Sequence, residues 1–339
     1  MNAAAATAVW DWSPADLASL EHFLAGLVKG PLSTRRIGDG HSNLTYLVSG
    51  NRDVVVRRPP PPPLPPGAHD VLREARLLTG LAGTDVPVPE VLATAQAGEV
   101  IDSPLYVMSY VPGPVVTTRT PDALTGCGAA IGESLVETLI RLHAVDWQAV
   151  GLAEMGSPQG FNGRHLRRMR RLIADENGEP PAAFAEVNSW LEAHVPGESG
   201  ATLVHNDYRL GNLILGPDGR VAAVLDWELA TIGDPLFDVG YFLASWPAKG
   251  EPLTPTAESG SAVLEPGYPH RAELAERYAA QTGRDLTDLR WYMTLALWKL
   301  AVLYEYSHRR TVSGRGDPYY ADQALVRAFL AAARATAGL

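Results

Sequence analysis

The chain contains a single cysteine, Cys127, in 339 residues. One thiol excludes a disulfide framework and a cysteine-based zinc site. No apolar run approaches the ~18 uninterrupted residues of a membrane-spanning helix, so no membrane partner is expected. Positive charge is in short supply: 28 Lys and Arg against 38 Asp and Glu give a formal net charge of −10. That balance argues against a general nucleic-acid binder. The Ala-rich start lacks the basic flank of a signal peptide and soon meets Asp11, so a cytoplasmic location is expected. Motifs are missing too. Without Gly-x4-Gly-Lys-Ser/Thr there is no Walker loop, and without His-Glu-x-x-His or Gly-x-Ser-x-Gly a metallohydrolase or serine hydrolase is poorly supported.

What is present is a soluble globular composition, 46% hydrophobic and 19% charged, with room for about two domains. The most informative stretch runs from Thr202 to Trp246. Two apolar, β-branched runs flank a Gly-Pro-Asp-Gly turn (216–219) and predict a β-hairpin. Asp207 precedes the first run and Asp226 follows the second. Within His205-Asn206-Asp207-Tyr208-Arg209-Leu210-Gly211-Asn212, the His-x-Asp-x4-Asn spacing is that of a phosphoryl-transfer catalytic loop. Such chemistry needs positioning and charge neutralisation rather than covalent help. Asp207 is the candidate that accepts the proton of the attacking hydroxyl or orients it. Asn212 and Asp226 offer the hard oxygen ligands that Mg²⁺ prefers. The plain alternative is a surface hairpin with solvated carboxylates at its ends, and the second Asp across the hairpin weighs against it.

Upstream, Ser13-Pro14 with Asp16 is a helix start. Gly38-Asp-Gly40-His-Ser42-Asn43 leads into strand 44–48, and Asn51-Arg52-Asp53 returns the chain into Val54–Arg58. A glycine-rich hairpin of this kind can lay N–H groups over phosphates, which makes Gly38, Gly40, Ser42 and Asn43 nucleotide-binding candidates. Arg57 stands where kinases carry the Lys of Val-Ala-Ile-Lys, and Glu74 on the following helix is its natural partner. Residues 59–67 read as a stiff polyproline connector. Gly98–Ile101 reads as strand-like. Leu105–Val111 is a buried strand that ends at Pro112-Gly113, a hinge near 108–113 where the backbone of Met108, Ser109, Tyr110 and Val111 would meet adenine. The boundary divides an N-lobe (1–112) from a helical C-lobe (113–339).

In the C-lobe, helices are expected over 129–147, 184–193, 272–282, 288–308 and 319–337. The basic run 164–171 is a solvated face by default, and His143 is a helix-end core or capping residue. Asp234-Pro235 opens another helix, with Asp234 capping it and bracing the catalytic loop; Asp238 does similar work. Residues 249–269 read as a mobile loop near the pocket. No Ala-Pro-Glu closes a peptide-docking segment after Asp226, which points to a small-molecule acceptor rather than a protein.

Together, Gly40-His-Ser-Asn-Leu-Thr-Tyr46, Val-Arg-Arg-Pro-Pro, Arg73-Glu-Ala-Arg, Val86-Pro-Val-Pro, Met108-Ser-Tyr-Val-Pro-Gly113, the 205–212 loop and Leu225-Asp-Trp-Glu-Leu-Ala-Thr-Ile-Gly-Asp-Pro235 resemble the aminoglycoside phosphotransferase-like (choline-kinase-like) superfamily. The resemblance is nearest to the phosphotransferase-like domains associated with acyl-CoA dehydrogenases. It implies an α+β, two-lobed, protein-kinase-like fold: an antiparallel sheet plus helix in the N-lobe, and a mainly helical C-lobe. It also implies ATP or GTP as donor, Mg²⁺ on Asn212 and Asp226, Asp207 as base, and Arg57 with Glu74 on the α/β phosphates. Two positions depart from the pattern, Asn206 where many relatives carry Gly and Arg57 where protein kinases carry Lys. Glu228, Arg309 and Arg310 are the acceptor-side candidates. The arginines of 164–171 together with Arg309 and Arg310 suit an anionic acceptor, a hydroxy acid or hydroxyacyl-CoA. Rival readings are an aminoglycoside, macrolide or aminoalcohol kinase and, from another class, a nucleotide-binding pseudokinase scaffold.

Overall fold

The computed structural model describes residues 12–38, 43–62, 64 and 69–339; Gly40 and Ser42 lie outside them. The chain divides into two compact units, Met1–Thr84 with Val88–Pro112, and Asp85–Pro87 with Gly113–Leu339.

In the first unit, α1 (Pro14–Leu24) starts at a capping box in which Ser13 and Asp16 satisfy each other's backbone N–H, as the Ser-Pro-x-Asp string requires. Strands β1 (Ser33–Arg36), β2 (Leu44–Ser49), β3 (Asp53–Arg58), β4 (Val91–Ala95) and β5 (Leu105–Ser109) form an antiparallel sheet in the order β1-β2-β3-β5-β4. Side chains alternate along β3. Val54 and Val56 enter the core with Leu20, Leu24, Tyr46 and Val107, so Arg57 is directed to the opposite face. There α2 (Val71–Leu81) presents Glu74.

Residues 98–101 are a turn rather than a strand. Gly98 adopts φ +86° and its N–H donates to Ile101 O at 2.8 Å, a conformation that a strand cannot hold. The edge strand beside β5 is instead β4, which ends just before this turn.

The second unit is mainly helical: α3 (Gly128–His143), α4 (Phe161–Ile173), α5 (Ala182–Ala193), α6 (Pro235–Ala244), α7 (Arg271–Thr282), α8 (Leu289–Val312) and α9 (Ala324–Ala337). Helix α3 stops four residues short of Trp147 because Asp146 accepts the N–H groups of Gln148 and Ala149, which opens a separate turn. Helix α9 begins later than expected, since 318–321 form their own short turn capped by Asp317. Residues 249–269 are not a free loop. They contain two helical turns, and they are tied to 117–120 by Ala262 N–H donating to Thr117 O and by a Thr120–Tyr268 hydroxyl pair.

Two small antiparallel ribbons complete the unit, β6 (Thr202–Val204) with β9 (Thr231–Gly233), and β7 (Leu213–Leu215) with β8 (Val221–Val224). Among the described residues, no helix is long and apolar enough to cross a membrane.

Candidate active site

The β7–β8 register pairs Leu213 with Val224, and Leu225 N–H continues the ladder by donating to Asn212 O at 2.9 Å. The hairpin therefore brings the end of the 205–212 loop beside the residue before Asp226. His205 closes the same frame. Its Nδ1 accepts from Asp207 N–H (3.2 Å) and its Nε2 lies 2.9 Å from Leu225 O. One ring nitrogen accepting and the other donating is the pattern of a neutral, Nε2-protonated imidazole. His205 is fully buried against Trp227, so it is a structural strut.

Asp207 is only partly buried and its carboxylate is held on both oxygens. Oδ2 accepts from Asn212 Nδ2 at 2.8 Å, and Oδ1 accepts from the Tyr241 hydroxyl, with Arg209 Nε at 3.6 Å. The same Asn212 amide nitrogen also donates to Asp207 O at 2.9 Å. Its Oδ1 is thereby turned away from Asp207 and available as a hard oxygen ligand. Asp226, two residues beyond the end of β8, lies in the left-handed region (φ +66°, ψ +60°), a placement costing about 1 kcal/mol or more for a non-glycine residue. An amide oxygen and a carboxylate fit Mg²⁺, which is commonly bound by one or two protein groups with waters and phosphate oxygens. Burial pushes the Tyr241 phenol well above its usual range, with the neighbouring Asp207 charge adding to the shift. It is a proton donor to the carboxylate at any physiological pH.

Of the two α6 carboxylates expected to brace the loop, Asp238 does so and Asp234 does not. Asp238 Oδ2 accepts from His205 N–H and Oδ1 from Asn206 N–H, both at 2.7 Å, and His143 Nε2 stands 3.3 Å away. Asp234 caps α6 and bonds Ser199, Asn162 and Tyr292. It fastens α4, α8 and the segment before β6 rather than the 205–212 loop. Both carboxylates are fully buried, so only their partners distinguish them.

Lys299 of α8 was not anticipated. Its Nζ donates to Asn206 O (2.6 Å) and Oδ1 (2.7 Å), and burial pushes its pKa down to about 8. A signal existed: a lone Lys in Leu-Ala-Leu-Trp-Lys-Leu-Ala-Val-Leu sits on a helix apolar all round, where a cation needs a buried partner. Tyr241 was likewise foreshadowed by Asp238, one turn earlier on α6.

The remaining candidates fall in several places. In the first unit, Arg57 Nε and Glu74 Oε2 form a buried ion pair at 3.0 Å. Asn43 Oδ1 lies 3.1 Å from His69 Nδ1, and Gly38 sits at φ +77°. Met108 is buried in β5, and Tyr110 and Val111 lie beyond the strand. The N–H of Ser109 is already bonded to Glu90 O (2.8 Å), which takes that donor away from any ligand.

In the second unit, Arg309 is engaged by Glu305 (2.7 Å) and Ile173 O (3.1 Å), and Arg310 bonds Arg315 O at 3.2 Å and lies over the Tyr306 ring. Arg164, Arg167, Arg168 and Arg171 are exposed on α4, while Arg170 pairs with Glu179 and Glu192. Glu228 follows Asp226 in a short turn. It neighbours a Tyr304–Tyr319–Tyr320 cluster, where burial, with the charges of Asp317, Glu228 and Asp207 contributing, pushes the Tyr320 phenol up to about 12.

A family model described as "Phosphotransferase enzyme family" matches residues 33–292. The chain belongs to that family. The mouse (Mus musculus) acyl-CoA dehydrogenase family member 10 is 31% identical to this phosphotransferase-family chain over 314 residues, 90% of the chain and 29% of the relative. Acyl-CoA dehydrogenase family member 11 of Gallus gallus is 32% identical over 322 residues, 89% and 40% respectively. The chain thus spans well under half the length of these relatives. A Ralstonia eutropha crystal structure named for aminoglycoside phosphotransferases is 29% identical, with a TM-score of 0.74 over 94% of this chain and 98% of that one. A ternary complex of aminoglycoside phosphotransferase APH(4)-Ia with AMP-PNP and hygromycin B shares the fold at 18% identity and a TM-score of 0.60, covering 94% and 98%. The resemblance drawn from the motifs holds, and so does the α+β, two-lobed, kinase-like fold.

Proposed function

We propose that this phosphotransferase-family protein transfers the γ-phosphoryl group of Mg²⁺-ATP to a hydroxyl of a small molecule, with a hydroxy acid or hydroxyacyl-CoA as the acceptor class. The observation that carries the reading is Asp207, partly open to solvent while Asn212, Tyr241 and Arg209 hold its carboxylate. Each carboxylate oxygen has two lone-pair sites, so Asp207 can keep its braces and still accept from an incoming hydroxyl. It takes that proton as the acceptor oxygen bonds to phosphorus and the bond to the departing nucleoside diphosphate breaks. Arg57, aligned by Glu74, is assigned to the nucleotide phosphates. Asn212 Oδ1 and Asp226 would hold Mg²⁺, whose contribution when bound is to neutralise charge on the phosphates.

The phosphotransferase complex with AMP-PNP and hygromycin B supports a nucleotide donor and a hydroxyl-bearing acceptor. The acyl-CoA dehydrogenase relatives support an acyl-CoA-type acceptor, as do the exposed arginines of α4. The test is nucleotide consumption with Mg²⁺-ATP and, in parallel, Mg²⁺-GTP. The acceptor panel contains hydroxyacyl-CoAs, hydroxy acids, aminoglycosides, macrolides and aminoalcohols, each run beside Asp207→Ala. Turnover that depends on a hydroxy acid or hydroxyacyl-CoA and disappears in the variant is expected. Comparable turnover of kanamycin and a hydroxyacyl-CoA would sink the acceptor assignment.

A further inference from the structure

Asn206 immediately precedes Asp207 and adopts φ +69°, a region natural to glycine and costly for other residues. Every polar group it carries is held. Its N–H donates to Asp238, its Nδ2 donates to Leu229 O (3.0 Å), and its carbonyl and Oδ1 both accept from Lys299 Nζ. The ammonium also lies 5.0 Å from the ring centre of Tyr241, the residue whose hydroxyl holds Asp207 Oδ1, and 5.1 Å from that of Phe237. One cation therefore touches the residue before Asp207 and sits over the ring that steadies its carboxylate.

The charged groups around it are Asp207 of the loop and Asp238 of α6. His165 of α4 faces it as well, and burial and the Lys299 charge hold that imidazole well below its usual range, hence neutral. Packing alone would be met by an apolar side chain of similar length; what the cation adds is the shared donor to the Asn206 carbonyl and Oδ1.

We infer that Lys299 is a positioning residue for Asp207, its ammonium locking Asn206 in the left-handed conformation and so aiming the carboxylate that follows. The inference rests on the assignment of Asp207 as the proton acceptor. It also accounts for Asn206 at a place where glycine would need no clamp: the asparagine and the lysine work as a pair.

The test is a double-variant cycle with Lys299→Met and Asn206→Gly, following kcat, both KM values and the amide NMR signals of residues 206 and 207. Lys299→Met should lower kcat on the order of 30-fold with both KM values nearly unchanged, as a small misplacement of a reacting group does. In the Asn206→Gly background the same change should cost no more than about threefold, because glycine holds the conformation unaided. The two amide signals should move in Lys299→Met and move much less when it is introduced into the glycine background.

Equal loss in both backgrounds, or a loss confined to KM, would overturn the inference. So would unmoved amide signals. If Asp207→Asn leaves turnover intact, the catalytic assignment fails instead; the amide signals report the Lys299–Asn206 coupling whichever way turnover behaves.

Discussion

Arg57–Glu74 in the first unit and the Asp207 loop in the second are both built around buried charge, in opposite ways. Arg57 lies on a strand and Glu74 on a helix, and their ion pair joins two regular elements directly. The Asp207 loop has little regular structure of its own. It holds Asn206 in the left-handed region, with Asp226 in the same region beyond the hairpin. It depends on Asp238, Tyr241 and Lys299 reaching in from α6 and α8. Asp207, Arg209 and Asp226 are partly exposed, while the struts His205, Asn206, Asp238 and Lys299 are buried. The ion pair is positioned by two regular elements; the carboxylate on a strained loop is held by a shell of side chains reaching in from other helices.

The comparison predicts where damage should be greatest. Asp207→Ala should cost on the order of 10³-fold or more in kcat with little change in melting temperature, since the residue is only partly buried and, in the proposed reaction, takes the proton of the acceptor hydroxyl. Asp238→Ala leaves the N–H groups of His205 and Asn206 unpaired in the core. It should lower kcat about 100-fold and also destabilise the fold by about 3 kcal/mol, read by steady-state kinetics and denaturant unfolding. If activity fell without any loss of stability, the shell would not be structural in the way argued. Glu74→Ala removes the buried ion-pair partner of Arg57, so it should destabilise by about 3 kcal/mol and raise the KM for nucleotide roughly tenfold, leaving the KM for acceptor unchanged. A change in acceptor KM of the same size would erase the distinction between the two sites.

The smallest expected effect is one of pH. In the folded protein Lys299 loses its proton near about 8, against 10.5 for an unperturbed lysine. Between those values the unfolded chain binds more protons than the folded one, so the free energy of unfolding rises with pH; below the lower value the contribution is flat. Denaturant unfolding of the wild type, measured relative to Lys299→Met, should gain about 2 kcal/mol between about pH 7 and 9.5. A flat difference would mean that Lys299 is not buried as a charge.

The sequence was most legible where the chemistry is local. The Gly-Pro-Asp-Gly turn and its β-branched flanks predict the hairpin, and with it the proximity of Asn212 and Asp226, because a two-stranded ribbon sets its own register. Ser13 with Asp16, and Asp234 with Pro235, marked helix starts that the fold has. What was missed depends on contacts remote in the chain. Lys299 and Asn206 are 93 residues apart, and Tyr241 and Asp207 are 34 apart. Local pattern marks Lys299 as a lone cation in an apolar stretch of helix, but it names the partner of neither Lys299 nor Tyr241. Asp234 and Asp238 are one helical turn apart, and helical spacing alone does not say which reaches the loop. At 98–101, expected to be strand-like, Val100 and Ile101 do cover the core, but the backbone closes on itself as a turn instead of joining the sheet.

The measurement that bears most directly on this account is acceptor-dependent transfer of the γ-phosphoryl group from Mg²⁺-ATP, followed on the phosphorylated product in wild type and in Asp207→Ala. The account predicts a phosphate monoester on the acceptor hydroxyl with the wild type and none above background with the variant. Equal product from both proteins would contradict it, because the carboxylate around which the second unit builds its shell would then not be the group that handles the proton.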